Sequence, residues 1–495
     1  MSELLQIVAN AVNAKLLGGS RDTKLAVSEM LSFEVEGFER SDAFKGGSWD
    51  GRSSFFDFKS GIFPAGFVHM VASGLNSLGH RTQLHIKAAP PPLGPEAGTF
   101  DPLGYGFTER YDYQLEAVKR LVRHGRMIAQ VATGGGKSNI ATLAVATIRR
   151  PTLFLTTRSV LMHQMADAFT KANLTPGVIG DGIWQPRKGV NVGMVQTLAA
   201  RLDKKHPKRE ETLALLSYFE FVIGEEAHES GGNSYYEVMQ ACKNANYRLA
   251  LTATPFMRED GEANMRLQAA FGSIGIQISE KLLIDRGILA TPYFKIIQTK
   301  HPLLLRRGTS WPACYEIGIT ENPFRNEALI AETIQAVDNN LPCILLVQRE
   351  KHGHILEEML KKAGKVATFV FGKHEQSQRK SALSGLGDRS LEVLIGSTIF
   401  DVGVDVPAVG FIGIAGGGKA EVGHRQRIGR GLREKKTGAN ICFVADFADE
   451  CNKHLNKHAL MRRAILEGTP GFAENILDDG VNFPYERLSV AGKQS

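Results

Sequence analysis

The stretch Val131-Ala132-Thr133-Gly134-Gly135-Gly136-Lys137-Ser138 constrains this chain more than any other. The apolar run Met127 to Val131 leads into it as a short buried strand, and Asn139 to Ile148 follows with apolar residues at helical spacing. A glycine-rich turn between such a strand and helix aims backbone N–H groups and the positive helix end at one spot, which suits phosphate. Thr133, Gly134, Gly135 and Gly136 then form a cradle, Lys137 reaches the β- and γ-phosphates, and the Ser138 hydroxyl sits on Mg²⁺. The strict pattern begins with glycine, where this chain has Val131. Successive glycines also serve as plain backbone permissiveness, so the phosphate reading leans on acids and arginines further along.

From Tyr105 to about Arg286 short apolar runs alternate with helical stretches: Met127–Val131, Thr152–Leu155, Val192–Val195, Phe219–Ile223 and Arg248–Leu251. A second series runs Cys343–Val347, Val366–Phe371, Glu392–Ile395, Val409–Ile414 and Asn440–Ala445. Such alternation predicts parallel sheets covered on both faces, with ligands gathering at the carboxyl ends of the strands. At 495 residues the chain exceeds a single core. The predicted fold class is therefore α/β: two tandem parallel-sheet lobes, 105–286 and 287–450, preceded by a small α+β module at 1–88. A proline-rich linker, 89–104, joins the module to the first lobe, and 451–495 forms a basic helix, Lys453 to Glu467, and a tail of weak pattern. Residues 300 to 325, with Pro302, Pro312 and Pro323, form a loop-rich excursion.

Within the first module, Leu4, Val8, Ala11, Val12 and Leu16 fall on one helical face, which predicts a helix over 4–17 ended by Gly18-Gly19. Phe33 and Val35 alternate with acids in strand fashion, and Trp49-Asp50-Gly51-Arg52 reads as a turn into an aromatic strand, Phe55 to Phe58. Trp49, Arg52 and Lys59 suit a nucleic acid backbone and its bases. On composition alone, the core-filling reading of Trp49 and the phenylalanines is the stronger one.

Lysine plus arginine exceed aspartate plus glutamate by 59 to 52, with a pI near 9.0, which is compatible with a polyanion partner. The five cysteines form no C-x-x-C pair, which argues against a zinc site or disulfide framework. With neither a signal peptide pattern nor an apolar run of membrane length, a soluble cytoplasmic protein is expected.

Phosphoryl transfer also needs a metal, an oriented water and positive charge on the transition state. After Phe219–Ile223 comes Gly224-Glu225-Glu226-Ala227-His228. Glu225 is predicted to hold Mg²⁺ through water, Glu226 to orient and deprotonate the attacking water, and His228 to link this edge to the second lobe. Thr252 and Thr254, in Leu251-Thr252-Ala253-Thr254-Pro255, either transmit the state of the phosphate site or make plain turn chemistry. In Gln426-Arg427-Ile428-Gly429-Arg430-Gly431-Leu432-Arg433, helical spacing puts Gln426, Arg430 and Arg433 on one face, with both arginines as candidate fingers on the γ-phosphate.

In this order the motifs resemble those of superfamily 2 helicases and translocases, from Tyr111 to Arg433. The resemblance implies two RecA-like lobes, ATP and Mg²⁺ as cofactors, and nucleic acid as partner. Tyr111-Asp112-Tyr113-Gln114 resembles the adenine-reading segment, which implies that Gln114 contacts the base edge. ATGGGKS at 132–138 is similar to the family's P-loop. LFLTTRSVLMHQ at 153–164 and VGMVQTL at 192–198 resemble motifs that lie on the strand, placing Thr157, Arg158, Gln196 and Thr197 near its phosphates. GEEAH stands for the Asp-Glu-Ala-His box and LTATP for the coupling motif. STIFDVGVDVP at 397–407 resembles the motif of branch-migrating helicases, which implies that Gly403 and Asp405 face the nucleotide and Ser397 and Thr398 the strand. QRIGRGLR at 426–433 matches the finger motif. FKGGSWDGRSSFFDFKSGIFPAGFV at 44–68 is similar to the leading domain of the phage UvsW-type helicases, which implies a DNA-handling module and strengthens the case for Trp49 and Arg52. The departure that matters is Glu225, one methylene longer than the family's aspartate.

The expected function is an ATP-driven monomeric motor on DNA, acting with little sequence preference on duplex or branched substrates such as forks, Holliday junctions or R-loops, with RNA present in hybrids. Host cytoplasm is expected if the chain is of phage origin. The rivals are an RNA helicase, a nucleotide-gated binding protein without turnover, and the motor subunit of a restriction system, the last disfavoured because no nuclease-like or methyltransferase-like segment is attached.

Overall fold

The computed structural model describes residues 4–99, 104, 109–226, 233–256, 261–306, 308–371, 376–396, 408–417, 425, 428–429, 431–436, 438–450 and 452–490. It divides into two compact units, Met1–Val131 with Gly136–Ile278, and Ala132–Gly135 with Ser279–Ser495.

The first unit opens on a strand pair, not on a helix. β1 (Leu4–Ala9) runs antiparallel to β2 (Asn13–Leu17), because Leu5, Ile7 and Ala9 alternate inward with Ala14 and Leu16. Leu4 and Val8, which completed the apparent helical face, are 58% and 43% exposed. β3 (Ser32–Glu34) pairs with β4 (Arg52–Ser54), so the strand precedes Phe55–Phe58, and only Asp57 bridges onward to Ile62. With β5 (Ile62–Pro64) and β6 (Arg81–Ile86), the main sheet has the order β5-β2-β1-β6. Phe56, Phe63 and Phe67 are core residues, as composition suggested.

This module shares its core with the sheet that follows it. Ala269 belongs to the same buried cluster, and Tyr236 packs against it. Gly66 lies so close to the Gln268 and Ala269 carbonyls that a Cβ there would overlap them. Arg126 Nη2 donates to the Ala11 carbonyl at 2.8 Å. The proline-rich stretch is likewise a docked strap and not a free spacer. Its Leu93 and Gly94 N–H groups donate to Ile148 and Thr147 at 3.0 and 3.1 Å, satisfying carbonyls at the end of the helix Lys137–Ile148. Arg150 Nη2 and the Tyr247 hydroxyl hold the Pro91 and Pro90 carbonyls at 2.7 and 2.8 Å.

The large sheet of this unit contains β7 (Arg126–Val131), β8 (Thr152–Thr156), β9 (Gly177–Gly180), β10 (Ile183–Gln185), β11 (Val190–Met194), β12 (Phe221–Glu225), β13 (Tyr247–Thr252) and β14 (Ile274–Ile278). Its order is β10-β9-β11-β8-β12-β13-β7-β14, parallel except for the β9–β10 hairpin. β12 and β13 are buried at every position, which explains why apolar residues dominate both, and the buried Arg248 within β13 is satisfied as its Nε donates to the Ala245 carbonyl at 3.0 Å.

The second unit carries an all-parallel sheet, β15 (Thr291–Ile297), β16 (Cys343–Leu346), β17 (Ala367–Val370), β18 (Val393–Gly396), β19 (Phe411–Gly413) and β20 (Ile441–Phe447), in the order β15-β20-β19-β16-β18-β17. The weakly patterned tail is integral to this lobe: Phe483 is 4% exposed, with its ring 5.0 Å from that of Phe443. At the end of β20 a buried network locks the helix Lys453–Glu467 in place. Arg462 Nε donates to Asp446 Oδ2 at 2.9 Å and Arg462 Nη2 to Asp449 Oδ2 at 3.2 Å, while Arg325 Nε reaches Asp449 Oδ1 at 2.9 Å. Two arginines against two aspartates leave this network neutral, as burial requires. Among the described residues no helix is long and apolar enough to cross a membrane.

Candidate nucleotide and nucleic-acid site

The carboxyl edge of the first unit's sheet collects most of the residues singled out above. β7 delivers the glycine loop, in which Gly134 and Gly136 take φ of +88° and +80°, the left-handed region that favours glycine. The helix begins at Lys137 with Gly136 as its N-cap and no side-chain cap among the described residues. Its first-turn N–H groups are thereby left for a ligand, which is what a phosphate requires. A Cβ at Gly136 would overlap Gln114 Nε2, so the cradle tolerates no side chain there. Gln114 itself is 3% exposed, in the first turn of the helix Asp112–His124.

β12 ends at Glu225, whose place in the ladder opposite Leu251 fixes its backbone. Glu226 follows with φ +46°, a left-handed conformation that a glutamate seldom adopts and that marks a constrained position. Both are buried, at 7% and 8%. Lys137 Nζ donates to Glu226 Oε1 at 2.9 Å. The next strand, β13, ends at Thr252, whose Oγ1 accepts from the Thr254 N–H at 3.2 Å. The Thr254 hydroxyl oxygen is buried without a hydrogen-bond partner, an orphaned polar group at the strand end nearest the acids.

On the other side of β12 the same edge changes character. Thr156 and Met194 are register partners, so Thr157-Arg158 after β8 and Gln196-Thr197 after β11 emerge side by side. Gln196 Nε2 donates to the Thr157 carbonyl at 2.8 Å, tying the two loops together. Arg158 and Gln196 are exposed, and Thr157 and Thr197 half-buried. The strand order thus separates an acidic, glycine-lined end at β12-β13-β7 from a polar, exposed end at β8-β11.

In the second unit Arg433 lies past the helical residues 428, 429 and 431, in an isolated antiparallel bridge with Leu289. The expectation of one helical face from Gln426 to Arg433 therefore fails at its last member: Leu432 ends the helix, and its carbonyl accepts from the Ala290 N–H at 2.7 Å. Gln426, Arg430, Gly403, Asp405, Ser397, Thr398 and His228 lie outside the described residues. In the first module Trp49 Nε1 donates to the Arg52 carbonyl at 2.6 Å, and Arg52 Nη2 to Ser32 Oγ at 2.7 Å. Trp49 thus braces its own turn and Arg52 ties that turn to β3, where Arg52, Glu29 and Asp50 line a cleft of about 560 Å³.

The donors present fit a magnesium nucleotide. An uncapped helix start and a lysine would meet the phosphates, while a hydroxyl, Ser138, and a carboxylate, Glu225, would offer the hard oxygen ligands that Mg²⁺ takes. What the sequence did not disclose is the direct pairing of Lys137 with Glu226, which are 89 residues apart, or the orphaned Thr254 hydroxyl.

Residues 108–257 match the family described as the type III restriction enzyme res subunit, and residues 325–435 the helicase conserved C-terminal domain. The chain is 25% identical over 349 residues to putative helicase 22 of Sulfolobus islandicus filamentous virus, covering 66% of this chain and 62% of that protein. It is 23% identical over 465 residues to the ATP-dependent DNA helicase uvsW of Enterobacteria phage T4, covering 86% and 88%. Against the DNA 3'-5' translocase XPB2 of Sulfurisphaera tokodaii it is 27% identical over 378 residues, covering 68% and 81%. The crystal structure of T4 UvsW aligns with a TM-score of 0.46 at 19% identity, over 97% of this chain and 100% of that one.

Proposed function

We propose that this chain, which belongs to the superfamily 2 helicases and translocases, is an ATP-driven motor that remodels branched DNA such as forks, Holliday junctions and R-loops. The observation that carries the reading is the Lys137–Glu226 contact at 2.9 Å, because it joins the phosphate lysine to the acid that would act on water. Without nucleotide each neutralises the other. A triphosphate competes for Lys137, and once the lysine turns to it, Glu226 is released to accept a proton from the attacking water. Ser138 and Glu225 hold Mg²⁺, which when bound neutralises charge on the β- and γ-phosphates. Gln114 reads the adenine edge, Arg430 and Arg433 supply positive charge at the γ-phosphate, and the neutral Gln426 amide adds a hydrogen bond there, with Gly403 and Asp405 beside it.

Thr157, Arg158, Gln196 and Thr197, joined by Ser397 and Thr398, grip the strand through its backbone, which gives little sequence preference and strong salt sensitivity. Trp49 and Arg52 contribute through the leading module. The protein acts as a monomer in the cytoplasm, that of the host if its origin is a phage. ATPase rates without nucleic acid and with single strands, duplex, forked DNA and RNA–DNA hybrid test the proposal. Forked DNA is expected to stimulate most. Stimulation by RNA alone would assign an RNA helicase, and no hydrolysis on any of them a nucleotide-gated clamp.

A further inference from the structure

The loop leaving the carboxyl end of β15 carries residues that turn chemistry does not ask for. The Leu305 N–H donates to the Pro302 carbonyl at 3.0 Å, closing a turn whose central residues are Leu303 and Leu304. Glycine, asparagine, aspartate and proline suit such positions. Here two leucines stand 101% and 77% exposed. A single exposed leucine needs no explanation, but an adjacent pair at a turn tip does.

The tip has a firm footing. Leu305 turns inward onto a cluster of Trp311, Tyr315, Ile319 and Leu455. Asn452 Nδ2 donates to the Arg306 carbonyl at 3.1 Å, and the Arg306 N–H to Thr309 Oγ1 at 3.0 Å, so both sides of the turn are pinned. The surroundings are basic: Lys300, His301, Arg306 and Lys453 are all exposed, and residues 298–315 contain no aspartate or glutamate. Lys300 Nζ also sits 5.9 Å over the ring of Phe324, which is 40% exposed. An apolar point rimmed by positive charge matches a ligand with phosphates outside and an apolar stack within. A protein partner would instead favour mixed polar groups around the apolar centre and not a rim of one positive sign.

We propose that Leu303 and Leu304 form a wedge that enters the base stack where duplex DNA meets single strands, with Lys300, Arg306 and Lys453 holding the flanking phosphates. Apolar side chains inserted between base steps unstack them in other DNA-binding proteins. The proposal rests on the reading of the chain as a DNA motor, and its test is built to fail separately from that reading.

The full chain is mixed, without ATP, with forked DNA carrying 2-aminopurine at the junction, whose fluorescence rises on unstacking. Wild type is expected to raise it, L303S/L304S to lose the rise, and L303M/L304M to keep it. With ATP, fork unwinding by L303S/L304S falls roughly tenfold or more, while ATPase on single strands stays within about twofold. A serine variant that unstacks and unwinds like wild type overturns the wedge. So does an equal loss of single-strand ATPase, since a strand with no duplex needs no wedge. A wild-type dimer that the serine variant dissolves in sedimentation also overturns it, assigning the tip to self-association. If wild type hydrolyses no ATP on any DNA, the motor reading falls, and the ATP-free fluorescence comparison still decides the wedge.

Discussion

Lys137 and Glu226 form an ion pair at 2.9 Å, with side chains only 12% and 11% exposed. Neither group is free for chemistry while the pair lasts, so in the proposed cycle nucleotide exchanges partners with it. Glu226→Gln removes the charge that competes with phosphate for Lys137. ATP should then bind more tightly, while turnover falls by about 10²–10⁴-fold, the span typical of a lost general base. Fluorescent nucleotide titration and phosphate release measure the two effects. Tighter binding with undiminished turnover would remove Glu226 from the chemistry.

Gly136 tests the cradle. Its φ of +80° and the Gln114 amide both exclude a Cβ. Gly136→Ala is expected to cost about 1–3 kcal/mol locally, mainly as weaker nucleotide binding. In a Gln114→Ala background, which removes the overlap together with the adenine contact, Gly136→Ala should still weaken nucleotide binding, though by less than in wild type. No further loss in that background would show that crowding alone, and not the left-handed turn, makes glycine necessary.

Much of this site was legible because its chemistry lies in contiguous residues at strand ends. The run Met127–Val131, the glycines and the stretch Asn139–Ile148 read correctly as strand, turn and helix, because the turn separates two apolar runs of different length, 6 residues in β7 and 12 in the helix, which starts two residues earlier at Lys137. The first seventeen residues did not, because Leu4 and Val8 are surface residues that imitate the four-residue spacing of a helix. Tertiary pairing with β6 overrides that pattern. The prolines of the strap announce stiffness but not the carbonyls of residues 147 and 148 that its neighbours cap. Arg433 was misplaced because spacing alone cannot say where a helix stops, and Leu432 stops it. The Arg325–Asp449 contact spans 124 residues, and nothing local in sequence encodes it.

His352 gives the second lobe a pH dependence of definite sign. It is fully buried, its Nε2–H donates to Asn326 Oδ1 at 2.9 Å, and Asn326 Nδ2 donates in turn to the Thr320 carbonyl at 3.0 Å. Nδ1 is buried without a partner, so a second proton has no acceptor. Burial, aided by the Arg325 charge, pulls the pKa from 6.5 down to about 3. The unfolded chain therefore binds the proton that the folded one refuses. The stability is complete above pH 6.5 and is lost as pH falls towards 3, by up to roughly 1.4 kcal/mol per pH unit. His352→Gln should flatten that slope in urea titrations between pH 7 and 4. An unchanged slope would mean that other groups carry it.

Gly66 tests whether the leading module is fixed to its lobe. Any side chain there meets the Gln268 and Ala269 carbonyls, which backbone cannot easily yield. Gly66→Val should undock the module at a cost of about 1–3 kcal/mol, with faster amide exchange along Ala65–Ser77 and Gly261–Phe271. Unchanged exchange along Gly261–Phe271 would mean that the shared core around Ala269 absorbs the substitution.

Glu225 is the proposed metal partner, and its side-chain length tests how Mg²⁺ would be held. Its backbone is set by the ladder partner Leu251, so side-chain length alone controls the reach of its carboxylate. Mg²⁺ accepts oxygen only near 2.0–2.1 Å in an octahedral shell, and a direct ligand shortened by one methylene, ~1.5 Å, would lose it. A contact through water absorbs that change, because the water can follow. With Glu225 as a water-mediated partner, Glu225→Asp keeps its ATPase with a Mg²⁺ midpoint near that of wild type. Glu225→Ala, which frees the water, should raise the Mg²⁺ requirement by roughly ten- to a hundredfold. A collapse in Glu225→Asp alone would instead mean direct ligation. Failure of wild type and Glu225→Asp alike to hydrolyse ATP, with DNA still bound, would make this chain a clamp.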